Sequence, residues 1–238
     1  MVNVLVITYN RIRYLRKCIN SILKQDTEII LNVWDNNSSD GTKKYLRKLV
    51  DNSILNGIFF DCKRNFGTAI ARNSGIAAIN DKHIFITDDD MYHSKSCIRL
   101  SNELMELLNK DDSYAVIGTY NPFEGEQYKK IKFNELKIDK FLVHRVTGLP
   151  PGAWLLDKDI VEFYGGFKLP DNKLMGFSSW KLPERMRKGG FNFAYLYKYA
   201  NRIVNSEHMD NIKHKLNEVA FYEESGYNDF RRKQKGTL

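Results

Sequence analysis

Short β-branched runs alternate with segments of helical periodicity through the first half of this chain, and that alternation narrows its folding options more than any other feature. Val2–Thr8, Ile29–Trp34, Ile58–Cys62 and His83–Thr87 are brief apolar runs of strand type. Between the first two, Leu15, Ile19, Ile22 and Leu23 recur at helical spacing in an Arg- and Lys-rich segment, which predicts an amphipathic helix laid over a sheet. Asp40-Gly41-Thr42 reads as a turn opening a helix over Lys43–Val50, and Thr68–Ile79 as a helix rich in small residues. Repeated units of this kind build parallel strands joined by right-handed crossovers. The expectation is therefore an α/β, doubly wound sheet whose ligands sit beyond the carboxyl ends of its strands.

The second half is less regular. Helices are expected over Ser96–Leu108, Lys158–Tyr164 and Ser179–Lys188, and strands over Tyr114–Ile117, Ala153–Leu156 and Phe191–Tyr197. Asn121–Leu142 mixes Lys, Phe and Glu without a period, which leaves a loop or an inserted hairpin open. Gly148 to Gly152 reads as a turn. Gly165-Gly166 and Gly189-Gly190 each stop a helix, and a last helix is expected from Asn217.

A chain of 238 residues, 42% hydrophobic and 28% charged, can fill one large α/β domain, which excludes a disordered or fibrous protein. No run approaches the ~20 apolar residues of a membrane span, and Val2–Ile7 is too short for a secretory leader. Cys18, Cys62 and Cys97 are odd in number and widely spaced, so neither a disulfide framework nor a CxxC site is available. A soluble, uncleaved, cytoplasmic protein is expected. The 37 Lys+Arg exceed the 29 Asp+Glu by 8, with a pI near 9.2, so an anionic partner is plausible, whether nucleotide, nucleic acid or membrane surface.

Three clusters at predicted strand ends can carry chemistry. Asp88-Asp89-Asp90 sets three adjacent carboxylates together, which repel unless donors or a hard cation such as Mg²⁺ or Mn²⁺ neutralise them; a solvated acidic turn is the plain alternative. Asp35 and Asn36 open Asp35-Asn36-Asn37-Ser38-Ser39-Asp40-Gly41-Thr42, where they either pair with a base edge or ribose or form an Asx-type turn with Asp40 or Ser39 capping a helix. Asn65-Phe66-Gly67 precedes Ala71-Arg72-Asn73-Ser74-Gly75. There Gly67 lets backbone donors approach a phosphate and Arg72 adds a bidentate contact, or else Gly67 relieves strain and Arg72 lies on the surface.

In sequence order, Val4-Leu5-Val6-Ile7-Thr8-Tyr9-Asn10-Arg11, the Asp35 block, the Asn65 and Arg72 block and the Asp triplet resemble the successive blocks of family 2 glycosyltransferases of the GT-A fold. The resemblance implies a Rossmann-like mixed sheet in a single domain, with residues 1–110 as the nucleotide-sugar half and 111–238 as the acceptor half. It implies that Thr8, Tyr9, Asn10, Arg11, Asp35, Asn36, Asn65, Gly67, Arg72, Asp88 and Asp89 hold a nucleotide-sugar, commonly a uridine one. The Asp triplet would be the DxD element on Mn²⁺ or Mg²⁺, with Asp88 and Asp90 as one register and Asp89 alone as the other, and His208 would be a late metal ligand.

Gly165-Gly166-Phe167 and Arg185 to Phe191 resemble the family's acceptor side, where Trp154, Trp180, Ser178 and Ser179 would meet the acceptor. Ser178 and Ser179 stand where the family carries an acidic pair, and a serine hydroxyl is no base near neutral pH. Asp171 or Glu184 is the candidate base for an inverting displacement; retention and a shifted alignment stay open. The implied activity is transfer from a UDP-sugar to a glycan or lipid-linked acceptor, with peripheral membrane contact possible. The charge and the tail Arg231-Arg232-Lys233-Gln234-Lys235 keep transfer to a modified DNA base open, and Ser178-Ser179 keep open a non-catalytic nucleotide-sugar-binding module.

Overall fold

The computed structural model describes residues 1–109, 114–119, 133–146, 152–168 and 178–196. Among the described residues, nine strands form one sheet in the order β3-β2-β1-β4-β8-β5-β9-β7-β6. Its first half follows the sequence pattern closely: β1 (Val2–Thr8), α1 (Ile12–Ile22), β2 (Ile29–Asp35), α2 (Thr42–Asp51), β3 (Phe59–Asp61), α3 (Gly67–Ala78) and β4 (His83–Asp88). These four strands are parallel, and β1 pairs with β2 on one side and β4 on the other. The strand order reverses between β1 and β4, and there the crevice at the carboxyl ends opens.

The sheet then turns mixed. After α4 (Cys97–Leu108) come β5 (Tyr114–Thr119), the hairpin β6 (Phe133–Ile138) and β7 (Phe141–Val146), β8 (Ala153–Asp157), α5 (Lys158–Phe163), α6 (Ser178–Lys188) and β9 (Asn192–Leu196). β8 runs antiparallel to both β4 and β5, and the hairpin attaches through β7 to β9. Of the two readings of Asn121–Leu142, the hairpin is the one found, shifted toward the carboxyl end. The helix expected from Asn217 lies outside the described residues.

Burial explains the layering. Leu15, Cys18, Ile19 and Ile22 of α1 and Leu46 and Leu49 of α2 join α4 over one face of the sheet. Ala69, Ala71 and Ile76 of α3, Val161 of α5 and Leu182 and Met186 of α6 fill the other. Small residues let α3 approach closely: a Cβ on Gly75 would stand 2.6 Å from Leu5 Cδ2.

Candidate functional site at the carboxyl edge of the sheet

Strand register sets the first three functional side chains in a row. Thr8 lies opposite Asp35 across β1 and β2, and Ile7 lies opposite Asp88 across β1 and β4. All three residues end their strands, so the chain leaves the sheet there and its polar side chains converge on the crevice.

The Asp triplet is held by two arginines. Arg11 Nη1 lies 3.0 Å from Asp89 Oδ1 and 2.8 Å from Asp90 Oδ2, while Thr8 Oγ1 donates to Asp89 Oδ2 at 2.6 Å. Arg72 Nη2 lies 2.7 Å from Asp88 Oδ1. The acids therefore split: the Asp89 and Asp90 side chains, both on Arg11, are 4% and 7% exposed, that of Asp88, on Arg72, 29%. Burial pushes the Asp89 carboxyl above the usual carboxylate range against the pull of Arg11, with Asp90 adding to the rise. Burial opposes the charge on Arg11, yet Asp89 and Asp90 hold its pKa above the ordinary guanidinium value. The solvated acidic turn is thus not what forms, and Arg72 is buried rather than on the surface.

Each strand end also orders its own loop. Asp35, with no exposed area, accepts from Ser38 N at 3.2 Å and from the Ser38 hydroxyl, and burial raises its pKa. Asn36 Oδ1 accepts from Trp34 Nε1 and from Phe66 N, each at 3.1 Å, which joins the second and third clusters. Asp40 accepts from Thr42 N at 3.1 Å, as the capping alternative expects, and also from Ile12 N at 2.9 Å, so one carboxylate serves the starts of both α1 and α2. Asn10, in the left-handed region at φ 51°, accepts from Ser39 N at 2.7 Å, and Tyr9 beside it is half-buried. Gly67 N donates to Asn65 Oδ1 at 2.8 Å, so that donor is already engaged.

The residues expected on the acceptor side lie away from the crevice or outside the described residues. Trp154 is 2% exposed and stacked on Phe167 at 5.8 Å, which corrects its assignment as an acceptor platform: ring and partner pack the core under Asp88. The Glu184 carboxylate is 54% exposed and pairs with Lys188 at 2.9 Å, which lowers its pKa. The backbone of Ser178, Ser179 and Trp180 opens α6. Asp171, His208 and the basic tail lie outside the described residues.

Sequence reasoning missed Asn73 and Arg185. Asn73 Nδ2 donates to Phe167 O at 2.9 Å, and Phe167 N donates back to Asn73 Oδ1 at 2.8 Å. Arg185 donates to Tyr164 O at 2.9 Å and to Gly166 O. Two side chains thus grip the Gly165-Gly166-Phe167 turn from opposite sides, while Arg72 lies over the Phe167 ring at 5.3 Å. Asp88, Arg72, Phe167 and Trp154 form a continuous contact chain from crevice to core. No local signal points from Asn73 to a partner 94 residues away.

His93 was also missed. Its ring is buried against Phe85, with Nε2 3.1 Å from Thr87 Oγ1, and burial lowers its pKa from 6.5 to about 3. Between those values the unfolded chain binds a proton that the folded chain refuses, so stability falls as pH drops below 6.5. The limiting slope is about 1.4 kcal/mol per pH unit. Urea titrations across that window should show the slope flattened in His93→Gln.

The oxygen donors of the triplet suit a hard cation. Among the described residues no three His, Cys, Asp or Glu side chains converge as a protein cage. Such a site fits the mode in which one or two carboxylates bind the ion together with substrate phosphates. No described helix is long and apolar enough to cross a membrane.

A family model for glycosyl transferase family 2 matches residues 3–165, which include every strand end and loop of the crevice. The chain belongs to that family. Its fold is the GT-A fold of solved glycosyltransferases. Over 183 residues it is 25% identical to the glycosyltransferase GlyG of Streptococcus pneumoniae, covering 74% of this chain and 56% of that protein. It is 31% identical over 105 residues to an uncharacterized glycosyltransferase, MG060, of Mycoplasma genitalium, covering 41% of this chain and 35% of that one. The chain therefore spans about half or less of the length of these curated relatives. S. aureus TarS 1-349 in complex with UDP-GlcNAc superposes at TM-score 0.61 with 18% identity, over 84% of this chain and 57% of that one. The mannosyltransferase PcManGT of Pyrobaculum calidifontis, in complex with GDP-Man and Mn²⁺, gives 0.64 with 16% identity over 81% and 53%. At those identities the likeness speaks to the fold.

Proposed function

We propose that this glycosyltransferase moves a sugar from a nucleoside-diphosphate sugar, a UDP-sugar foremost, to an acceptor hydroxyl on a glycan or lipid-linked sugar. The carrying observation is the row of Thr8, Asp35 and Asp88 at the carboxyl ends of three adjacent parallel strands. In this reading Asp35 and Asn36 order the loop that faces the nucleobase and ribose, Asp35 through Ser38 and Asn36 through Phe66 N, and the turn from Thr8 to Arg11 walls the donor. Solved relatives carry UDP-GlcNAc and GDP-Man, which supports a diphosphate-sugar donor.

Asp88 with Asp90 would hold Mn²⁺ or Mg²⁺, which supplies countercharge to the diphosphate as the anomeric C–O bond breaks. Asp89 alone is the other register; Thr8 and Arg11 engage both its oxygens, while Arg11 also engages Asp90 and Arg72 engages Asp88, so in either register the ion would compete with an arginine. Arg72 orients Asp88 and offsets its charge. Asp171 or Glu184 is the candidate to take the acceptor proton in an inverting displacement. Residues 1–110 form the donor half and 111–238 the acceptor half, and the three free thiols support a reducing compartment.

Calorimetry with UDP, GDP, CDP and ADP, with and without Mn²⁺, tests the donor site. UDP should bind in a metal-dependent way, and Asp88→Ala with Asp90→Ala should lower affinity at least ~100-fold and abolish transfer. Normal transfer by that double variant would sink the reading. Tight UDP binding with neither hydrolysis nor transfer would assign the non-catalytic module instead, and sugar incorporation into duplex DNA would assign the nucleic-acid acceptor.

A further inference from the structure

Among the described residues, the outer surfaces of α1 and α2 carry a run of exposed cations. Along α1 the solvent-facing stripe is Arg13, Arg16 and Lys17, continued past the helix end by Lys24, and the helix contains no acid. α2 exposes Lys44, Arg47 and Lys48 on the same kind of stripe, Arg47 pairing with Asp61 at 2.7 Å, with Asp51 at its end. The two helices lie side by side on one sheet face, sharing the cluster that holds Leu15, Ile19 and Leu46, and the Arg16 guanidinium sits 5.0 Å over the Tyr45 ring. The stripes form one cationic face.

Aliphatic side chains stand beside these cations. Leu23 is 47% exposed just past α1, Val50 is 42% exposed in the last turn of α2, and Ile54 is 39% exposed immediately after it. The other layer is different. α3 has no charged residue except the buried Arg72, and α6 exposes Lys181, Arg187 and Lys188 around Glu184, with its aliphatics Leu182 and Met186 buried. Among the described helices, α1 and α2 join excess positive charge to exposed aliphatics on or just past their last turns, whereas Ile70 is exposed on α3, which has no exposed charge.

We propose that the joined outer face of α1 and α2 seats on a membrane surface rich in anionic lipid headgroups. Lys and Arg gain from the negative surface potential of such a leaflet, and neighbouring aliphatics gain by entering the boundary between headgroups and acyl chains. A nucleic-acid surface would use the cations but offer Leu23, Val50 and Ile54 only polar neighbours. Both helices begin at the carboxyl edge of the sheet, at Arg11 and Gly41, so this face runs from the rim of the crevice. The proposal stands on surface chemistry and does not depend on the transfer reading.

The test is sedimentation of the full chain with vesicles of phosphatidylcholine, alone or mixed with about one-third phosphatidylglycerol. Partitioning should need the anionic lipid and weaken with salt. Two charge-matched variants separate this face from net charge: Lys44→Glu with Lys48→Glu on α2, and Lys181→Glu with Arg187→Glu on α6. The first should lose about tenfold or more in partitioning and the second about twofold or less. Equal losses, no loss in either, or equal capture by phosphatidylcholine alone would overturn the proposal. So would duplex DNA bound more tightly than anionic vesicles and released by the α2 substitutions.

Discussion

Replacing Arg11 by methionine is expected to cost the fold about 3–5 kcal/mol, the largest single-residue effect outside the apolar core. The substitution leaves Asp89 and Asp90 buried beside each other without the guanidinium that contacts both. Thr8 supplies one hydrogen bond to Asp89, less than the ion pair that Arg11 gives it. The deficit should shrink as pH falls. Without Arg11 the folded chain binds protons at this pair that the unfolded chain has released, so the variant's stability decreases as pH rises through the carboxyl range. Denaturant unfolding at several pH values measures this. Adding Asp89→Asn to Arg11→Met should restore part of the loss, because an amide needs no countercharge. If Arg11→Met unfolds like the parent chain at neutral pH, the ion pair is not what stabilises the triplet.

The second large effect is expected at Asn73. Asn73→Ala removes both partners of the Phe167 backbone amide, leaving a buried N–H and a buried C=O unpaired at about 1–3 kcal/mol each. Asn73→Asp should be no better, since a carboxylate accepts from Phe167 N but repels Phe167 O. Gly166→Ala disturbs the same joint from the other side. Gly166 has φ +64°, and an added Cβ would lie 2.5 Å from Asn73 Oδ1. Because Phe167 supports Arg72, and Arg72 holds Asp88, all three variants should lower kcat for transfer more than they raise the donor KM. Unchanged kcat in a folded Asn73→Ala would separate the turn from the crevice.

The parallel half of the sheet was legible because every strand and helix there carries its own period, and because register follows when both faces are buried. The ends of β1, β2 and β4 were legible for the same reason: a polar residue ending an apolar run has to project beyond the sheet. The antiparallel half was harder. The β6 and β7 hairpin follows a stretch with no clean period and places only β6 at the sheet edge, and the strand pairing of β8 between β4 and β5 has no local signature.

Within the site, sequence alone determined which residues meet at the carboxyl edge: Thr8, Asp35, the Asp triplet and Arg72. It did not determine what each of them touches. Asp89 turns inward and Asp88 outward because Arg11 and Arg72 approach the triplet from α1 and α3, on opposite faces of the sheet. Trp154 is core and Glu184 is surface because β8 runs central in the sheet and α6 buries its Leu182 and Met186 stripe. The Asn73 joint spans 94 residues. Periodicity and strand ends are local properties that a chain carries in its order of residues, whereas the pairing of charges and the burial of a ring depend on which elements the fold brings into contact.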